Sequence, residues 1–195
     1  MWNDVIYYGN KYGFTISQAT LQAPLGTVSF LMQADTTGIE PAVALVVYKS
    51  LIGGGTEKLV NRSVGHALRN LGYSIDSTKA ICDYVELNGY IEGAPGFGPS
   101  HLSIFDCALP TGPSNRYLSP MAHVRMLAAI QPLITCGQSK TINLPNTATV
   151  EEITDLYTEA WKLGLKSIAL YRDGCKKVQP LNTKQVNVGM KDETT

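Results

Sequence analysis

Residues 138–171 constrain the fold more than any other stretch of this chain. Residues 138–144 read as a strand, 149–163 as a helix and 166–171 as a second, apolar strand. Thr149 and Glu152 stand at capping-box spacing, and Gly164 supplies the stop. Val150, Ile153, Tyr157, Ala160, Trp161 and Leu163 are the expected apolar side of the helix. Parallel strands need a long crossover between them, and a helix is the usual one. Upstream, residues 15–21 are rich in β-branched side chains and read as another buried strand. Strands separated by helices favour a parallel sheet or barrel over an all-α fold.

The remaining segments fit around that frame. Residues 2–12 read as an amphipathic helix with Trp2, Val5, Ile6 and Gly9 on one face and Gly13 as its stop. A chain that opens directly on a helix is expected to be the tail end of a longer protein. Residues 42–48 are a continuous apolar run, buried as strand or helix. Gly53, Gly54 and Gly55 lack the Lys-Ser/Thr of a phosphate-binding P-loop and read as a turn. Residues 56–71 read as a helix capped by Thr56 and ended by Gly72, with Leu59, Val60, Val64, Ala67, Leu68 and Leu71 inward. Residues 76–88 repeat that design, with Asp76 as cap, Ile81, Tyr84 and Val85 inward and Gly89 as stop; the pair reads as a helical hairpin. Residues 90–120 hold five prolines and four glycines and read as loop, with a short helix near 101–106. Ser119 and Pro120 then start a helix that runs to about Ile130. From Gln179 onward the chain is polar and is expected to be disordered.

Residues 22–41, QAPLGTVSFLMQADTTGIEP, carry the clearest chemical expectation. Pro24 lacks an N–H, and Gly26 permits unusual dihedrals or close backbone approach. Residues 28–32 open a short helix with Thr27 as its cap. A strand, a tight turn and a helix start aim amide N–H groups at one point, which suits an anion such as phosphate. The same Pro-x-Gly-Thr pattern also occurs in ordinary strand-to-helix turns. Asp35 and Glu40 are candidates for positioning this loop, and Ser139, Lys140 and Thr141 for facing the barrel mouth.

Composition removes several alternatives. Sixteen Lys and Arg balance sixteen Asp and Glu, so no net charge favours a nucleic-acid or membrane surface. No apolar run is long enough for a membrane span, and the expected compartment is the cytoplasm. Cys82, Cys107, Cys136 and Cys175 show neither C-x-x-C pairing nor zinc spacing with His66, His101 and His123; reduced, mostly buried thiols and no metal site are expected. His123 reads as a packing or surface histidine rather than a ligand.

Four ordered blocks carry a family resemblance: APLGT with DTTGIEP, YIEGAP with FDCA, SKTINLPN with ATVEE, and WKLGLKSIALYRDG. In these the chain resembles the C-terminal region of the catalytic chain of adenosylcobalamin-dependent (class II) ribonucleotide reductases. The resemblance implies an α/β fold: residues 1–178 as the C-terminal part of a ten-stranded reductase barrel with helical insertions, and residues 179–195 as a tail. It implies reduction of ribonucleotides, diphosphates in this branch, by thiyl radical chemistry that cobalamin starts. It further implies a thioredoxin-like dithiol as reductant and an upstream reductase segment that carries the radical cysteine. On this resemblance no catalytic residue falls in this chain, and the substrate-phosphate loop falls on Ala23, Pro24, Leu25, Gly26 and Thr27.

Two departures qualify the match. Leu25 stands where the family usually has Ser or Thr, and a lost hydrogen bond to a charged group implies binding weakened about tenfold. Class I relatives carry a tyrosine pair where this chain has Ala169 and Leu170, which favours a locally made radical; Tyr171 reads as packing. Arg172, Asp173, Gly174 and Cys175 lack the neighbours of a glycyl-radical site, so class III is set aside. The rival expectation, prompted by Leu25, is a non-catalytic nucleotide- or anion-binding module or an inactive truncated remnant.

Overall fold

The computed structural model describes residues 1–16, 18–50, 56–176 and 181–182. β3 (Thr141–Leu144) and β4 (Ala169–Arg172) pair in parallel, Thr141 opposite Ala169 and Leu144 opposite Arg172. α6 (Val150–Lys162) is the crossover between them. Both halves of its capping box are made: the Thr149 hydroxyl accepts from the Glu152 amide at 3.2 Å, and the Glu152 carboxylate accepts from the Thr149 amide at 2.8 Å. The buried face departs from expectation. Leu156 and Ala160 are buried and Ile153 packs on the core, whereas Val150, Tyr157 and Trp161 face outward, Trp161 at 79% exposure. Positions 153, 156 and 160 recur at helical spacing and set the side that meets α5 (Pro120–Ile130).

α1 (Trp2–Tyr12) forms over the expected residues and ends at Gly13, whose φ of 80° suits glycine. α5 starts as read, with the Ser119 hydroxyl accepting from the Ala122 amide at 3.2 Å. The helical hairpin is also present: α3 (Ser63–Asn70) and α4 (Ile75–Asn88) pack together, and Gly89 ends α4 in the left-handed region. Ser74, not Asp76, caps α4 by accepting from the Ser77 amide. The short helix in the Pro/Gly-rich stretch is a 3-10 helix, Pro99–Phe105.

The expected helix over 56–71 is half wrong. β2 (Thr56–Val60) is a strand paired antiparallel with β1 (Val46–Ser50), Val46 opposite Val60. Backbone pairing with a distant strand overrides local helical preference here. The helix begins only at Ser63, whose amide donates to Asn61 Oδ1 at 2.9 Å. β1 also resolves the ambiguous apolar run as strand. β5 (Leu181–Asn182) pairs with the other edge of β1, so two residues of the expected disordered tail are ordered. The rest of that tail, and the Gly53–55 turn, lie outside the described residues.

The described residues of 15–21, which leave out position 17, are not a ladder strand. They run beside the lead-in to β3 and touch it through a parallel bridge between Gln22 and Gln138 and the Cys136 amide donating to the Thr20 carbonyl at 2.8 Å. One neighbour and few paired groups leave the segment irregular, with Ile16 and Leu21 exposed. The described residues thus hold a two-stranded parallel sheet and a three-stranded antiparallel sheet and no closed barrel.

Two apolar clusters hold this together. Val46, Val64, Leu68, Ile81, Val85 and Phe105 form one, and Val124, Leu127, Ile142, Leu144, Leu156 and Ala160 the other. Among the described residues no helix is long and apolar enough to cross a membrane.

α5 also buries His123, at 2% exposure. Burial, aided by the nearby Lys140 ammonium, disfavours the charged ring and lowers its pKa from 6.5 to about 4. Above pH 6.5 the ring is neutral in folded and unfolded chains alike. Between there and about pH 4 only the unfolded chain takes up the proton, so stability falls as pH drops through that window. Urea midpoints at stepped pH should show this slope, and His123→Gln should flatten it. Ile142→Ala should cost about 2–5 kcal/mol in the same assay, against under about 1 kcal/mol for exposed Trp161→Ala.

Candidate functional site

The 22–41 loop folds against a cleft of about 770 Å³, within the usual range for small-molecule sites. Pro24, Gly26 and Ser29 line one side, Asp35, Thr36, Thr37 and Glu40 another, and Ser139 of the lead-in to β3 with Thr141 and Asn143 of β3 contribute polar groups. Of the five expected phosphate-loop residues, Pro24 and Gly26 therefore line the cleft. Ala23 is half-buried beside it, and Leu25 and Thr27 are exposed, Leu25 at 44%.

Local geometry redistributes the roles within the turn. α2 (Gly26–Leu31) starts at Gly26, one residue before the expected cap, so Thr27 is helical. Leu25 takes the unusual conformation, with φ of 54°, and its carbonyl accepts from the Ser29 amide at 2.9 Å. Gly26 is not in the left-handed region, and a Cβ added there would meet nothing within 4 Å. No protein packing therefore requires glycine at 26; its missing side chain leaves room on the cleft wall. As at any helix start, the first amides of α2 lack intrahelical acceptors. With six residues the helix has a small dipole, so these N–H donors count for more than its field.

Gly38 does require its glycine. Its φ is 53°, and a Cβ would lie 2.7 Å from Gln22 Nε2 and 2.9 Å from the Ala23 carbonyl oxygen. The return arm of the loop thus presses directly on the backbone of the outgoing arm.

Both candidate positioning carboxylates are engaged. Asp35 accepts from the Arg62 amide at 3.1 Å, from the Arg62 guanidinium and from the Ser63 hydroxyl. Burial pushes its carboxyl up, but these hydrogen bonds and the guanidinium charge outweigh it and hold the group below its ordinary value. Glu40 accepts from Lys140 Nζ at 2.9 Å and from the Thr141 amide at 2.5 Å. Lys140 is 3% exposed and also donates to His123 Nδ1 at 2.6 Å and to the Thr141 carbonyl at 3.2 Å. With Nδ1 facing an ammonium, the ring proton belongs on Nε2. That atom is buried with no partner among the described residues. Ser139 and Thr141 face the cleft as candidates, and Lys140 between them turns away, following the two-residue period of a strand. The Lys140–His123 contact was beyond sequence reasoning; the only signal was a lysine inside an otherwise strand-like run.

The cysteines sit on separate elements and all four are free. Only Cys107 is buried, where burial, with the Asp106 charge, pushes its thiol up to about 12. Cys82 and Cys136 are half-buried and Cys175 is exposed, which corrects the expectation of mostly buried thiols. Among the described residues no group of three or more His, Cys, Asp or Glu could hold a metal ion. Tyr171 on β4 is half-buried, and burial raises its phenol pKa, in keeping with a packing role.

Comparison with known proteins adds an independent line. The model of the ribonucleotide reductase barrel domain matches residues 1–171. A vitamin B12-dependent ribonucleotide reductase of Rhodopirellula baltica is 50% identical over 184 residues, 94% of this chain and 18% of the relative. One of Streptomyces coelicolor is 49% identical over 187 residues, 96% of this chain and 19% of the relative. A vitamin B12-dependent ribonucleoside-diphosphate reductase of Mycobacterium tuberculosis is 34% identical over 86% of this chain and 22% of its own length. The chain thus spans less than a quarter of the length of each of these relatives. The structure of the alpha subunit of a class Id ribonucleotide reductase from Actinobacillus ureae superposes with a TM-score of 0.59 over 85% of this chain and 28% of that subunit, at 21% identity, a likeness of fold. The match over residues 1–171 shows that this chain belongs to the ribonucleotide reductase barrel-domain family.

Proposed function

We propose that this chain is the C-terminal part of the catalytic barrel of an adenosylcobalamin-dependent ribonucleotide reductase, with residues 1–178 as barrel wall. Its share of the work is to seat the substrate's phosphates on the turn formed by Ala23, Pro24, Leu25, Gly26 and Thr27. The observation that carries this reading is Gly26: it lines the cleft, and nothing in the protein occupies the space its side chain would take. A backbone left open there allows phosphate oxygens to approach the first amides of α2. The substrate is a ribonucleoside diphosphate, a reading supported by the name of the Mycobacterium tuberculosis relative.

In the assembled enzyme the 2′-hydroxyl leaves as water and a hydrogen takes its place on C2′, while a cysteine pair gives up two hydrogens and two electrons and becomes a disulfide, which a thioredoxin-like dithiol reduces again. The radical and reducing cysteines belong to an upstream reductase segment, and Cys82, Cys107, Cys136 and Cys175 take no part. Bound adenosylcobalamin supplies the radical that starts the reaction. His123 is buried with Nδ1 held against Lys140, so it would not serve to hold the cofactor. No step of this chain is therefore routed through the cofactor; its residues bind and orient the diphosphate. The site of action is the cytoplasm.

One observation favours a second reading. Leu25 puts an exposed apolar side chain where the family usually has a hydroxyl, as a non-catalytic anion-binding module or an inactive remnant would tolerate.

Calorimetric titration with ADP tests the phosphate seat and separates it from the inactive remnant. The chain should bind ADP and not adenosine, and Gly26→Ala should weaken binding about tenfold, as loss of a hydrogen bond to a charged group does. Gly26→Ala should leave the urea midpoint unchanged or raised, since Ala favours helix over Gly. Leu25→Ser should tighten binding about tenfold by restoring a hydroxyl. Ser is preferred to Thr because the φ of 54° at Leu25 strains β-branched residues. Absence of heat with ADP for the wild-type and Leu25→Ser chains would remove the phosphate-seat reading and leave the inactive remnant.

A further inference from the structure

Both arms of the 22–41 loop are tied to one short stretch of chain, residues 136–141. The outgoing arm is held by backbone: the Cys136 amide donates to the Thr20 carbonyl at 2.8 Å and the Ser139 amide to the Gln22 carbonyl at 2.9 Å. The return arm is held by charge: Glu40 receives Lys140 Nζ at 2.9 Å and the Thr141 amide at 2.5 Å. Between these ties Gly38 bears on the Ala23 and Pro24 carbonyls, so a shift of Glu40 is passed directly to the turn.

We propose that Lys140, with Glu40 and His123, is a clamp that positions the phosphate turn without touching the ligand. Lys140 has 2% of its side chain exposed and does not line the cleft, so it has no direct reach to a bound nucleotide. Its three ammonium protons are matched by three acceptors: the Glu40 carboxylate, His123 Nδ1 and the Thr141 carbonyl. A neutral imidazole as the third acceptor lets the ammonium be buried without a second carboxylate that would compete with Glu40 for it. Glu40, with 19% of its side chain exposed, is the end of the pair that meets the cleft. Lys140 and His123 are thus positioning residues that act through Glu40. The functional half of this proposal rests on the phosphate-seat reading; the mechanical half does not.

Hydrogen–deuterium exchange on the whole chain tests the mechanical half. Lys140→Met and Glu40→Gln should each speed exchange in peptides covering residues 22–31 about tenfold or more, while α4 peptides keep wild-type rates. The double variant, which leaves no unpaired buried charge, should still exchange faster than wild type at 22–31; a return to wild-type rates would show only the cost of an unpaired charge and overturn the clamp. Lys162→Ala, which breaks an exposed pair on α6, should change neither region. Unchanged rates at 22–31 in Glu40→Gln, the milder variant, or a uniform rise across all peptides, would overturn the clamp. ADP titration of the same proteins tests the functional half: about tenfold weaker binding in Lys140→Met at wild-type stoichiometry supports it, and wild-type affinity overturns it. If the wild-type chain binds no ADP, the phosphate-seat reading falls, and exchange still decides the clamp.

Discussion

The arrangement of this molecule depends on one ion pair that ought to be costly. Removing an ammonium from water carries a penalty of several kcal/mol, and attraction to a carboxylate offsets it only when every remaining donor is satisfied. Lys140 meets that condition with Glu40, His123 and the Thr141 carbonyl. Apolar residues of similar volume would often be no less stable than such a pair, whereas removing one member typically costs about 3–5 kcal/mol. Its value therefore lies in specifying one arrangement. Apolar contacts tolerate sliding, but Lys140 and Glu40 meet in one register of the 22–41 loop against β3.

That register links the fold to the cleft. β3 is the central element of the second core: Ile142 and Leu144 face α5 and α6, and its parallel partner β4 closes the other side. Its lead-in reaches out of that core to hold the loop. The rigid part of the structure and the part facing the cleft are thus neighbours along four residues of chain. The turn has a division of labour that a motif alone does not reveal. Leu25 takes the left-handed conformation and Gly26 leaves open space, the reverse of what Pro-x-Gly would imply.

Features governed by neighbours in sequence were legible before the structure. The Thr149–Glu152 capping box, Ser119 before Pro120, and Gly13 and Gly89 as stops all depend on groups a few residues apart, and all four appear. The family, too, was readable from its four blocks. Features governed by distant partners were not. Residues 56–60 have helical spacing but pair with β1, and the ladder wins. The inward side of α6 depends on where α5 lies, so Leu156 was missed and Trp161 was misplaced. His123 and Lys140 are seventeen positions apart, and only the packing of α5 on β3 brings them together. The Gly38 contact is of the same kind: two arms of a loop meet, and no local pattern announces it.

The alternation along 138–144 has a consequence for how this chain can vary in length. The Gln22–Gln138 bridge, Ser139 and Thr141 on the cleft and Lys140 on the opposite face are successive teeth of one pleat. A single-residue insertion or deletion there would exchange the two faces, sending the ammonium into the cleft and a hydroxyl into the core. The exposed turn at 113–115, between α4 and α5, has no such alternation, and added or lost residues there change only a loop. Length variation among natural or engineered forms should therefore collect at that turn and be absent between Gln138 and Thr141. In that short span, length is under tighter constraint than side-chain identity.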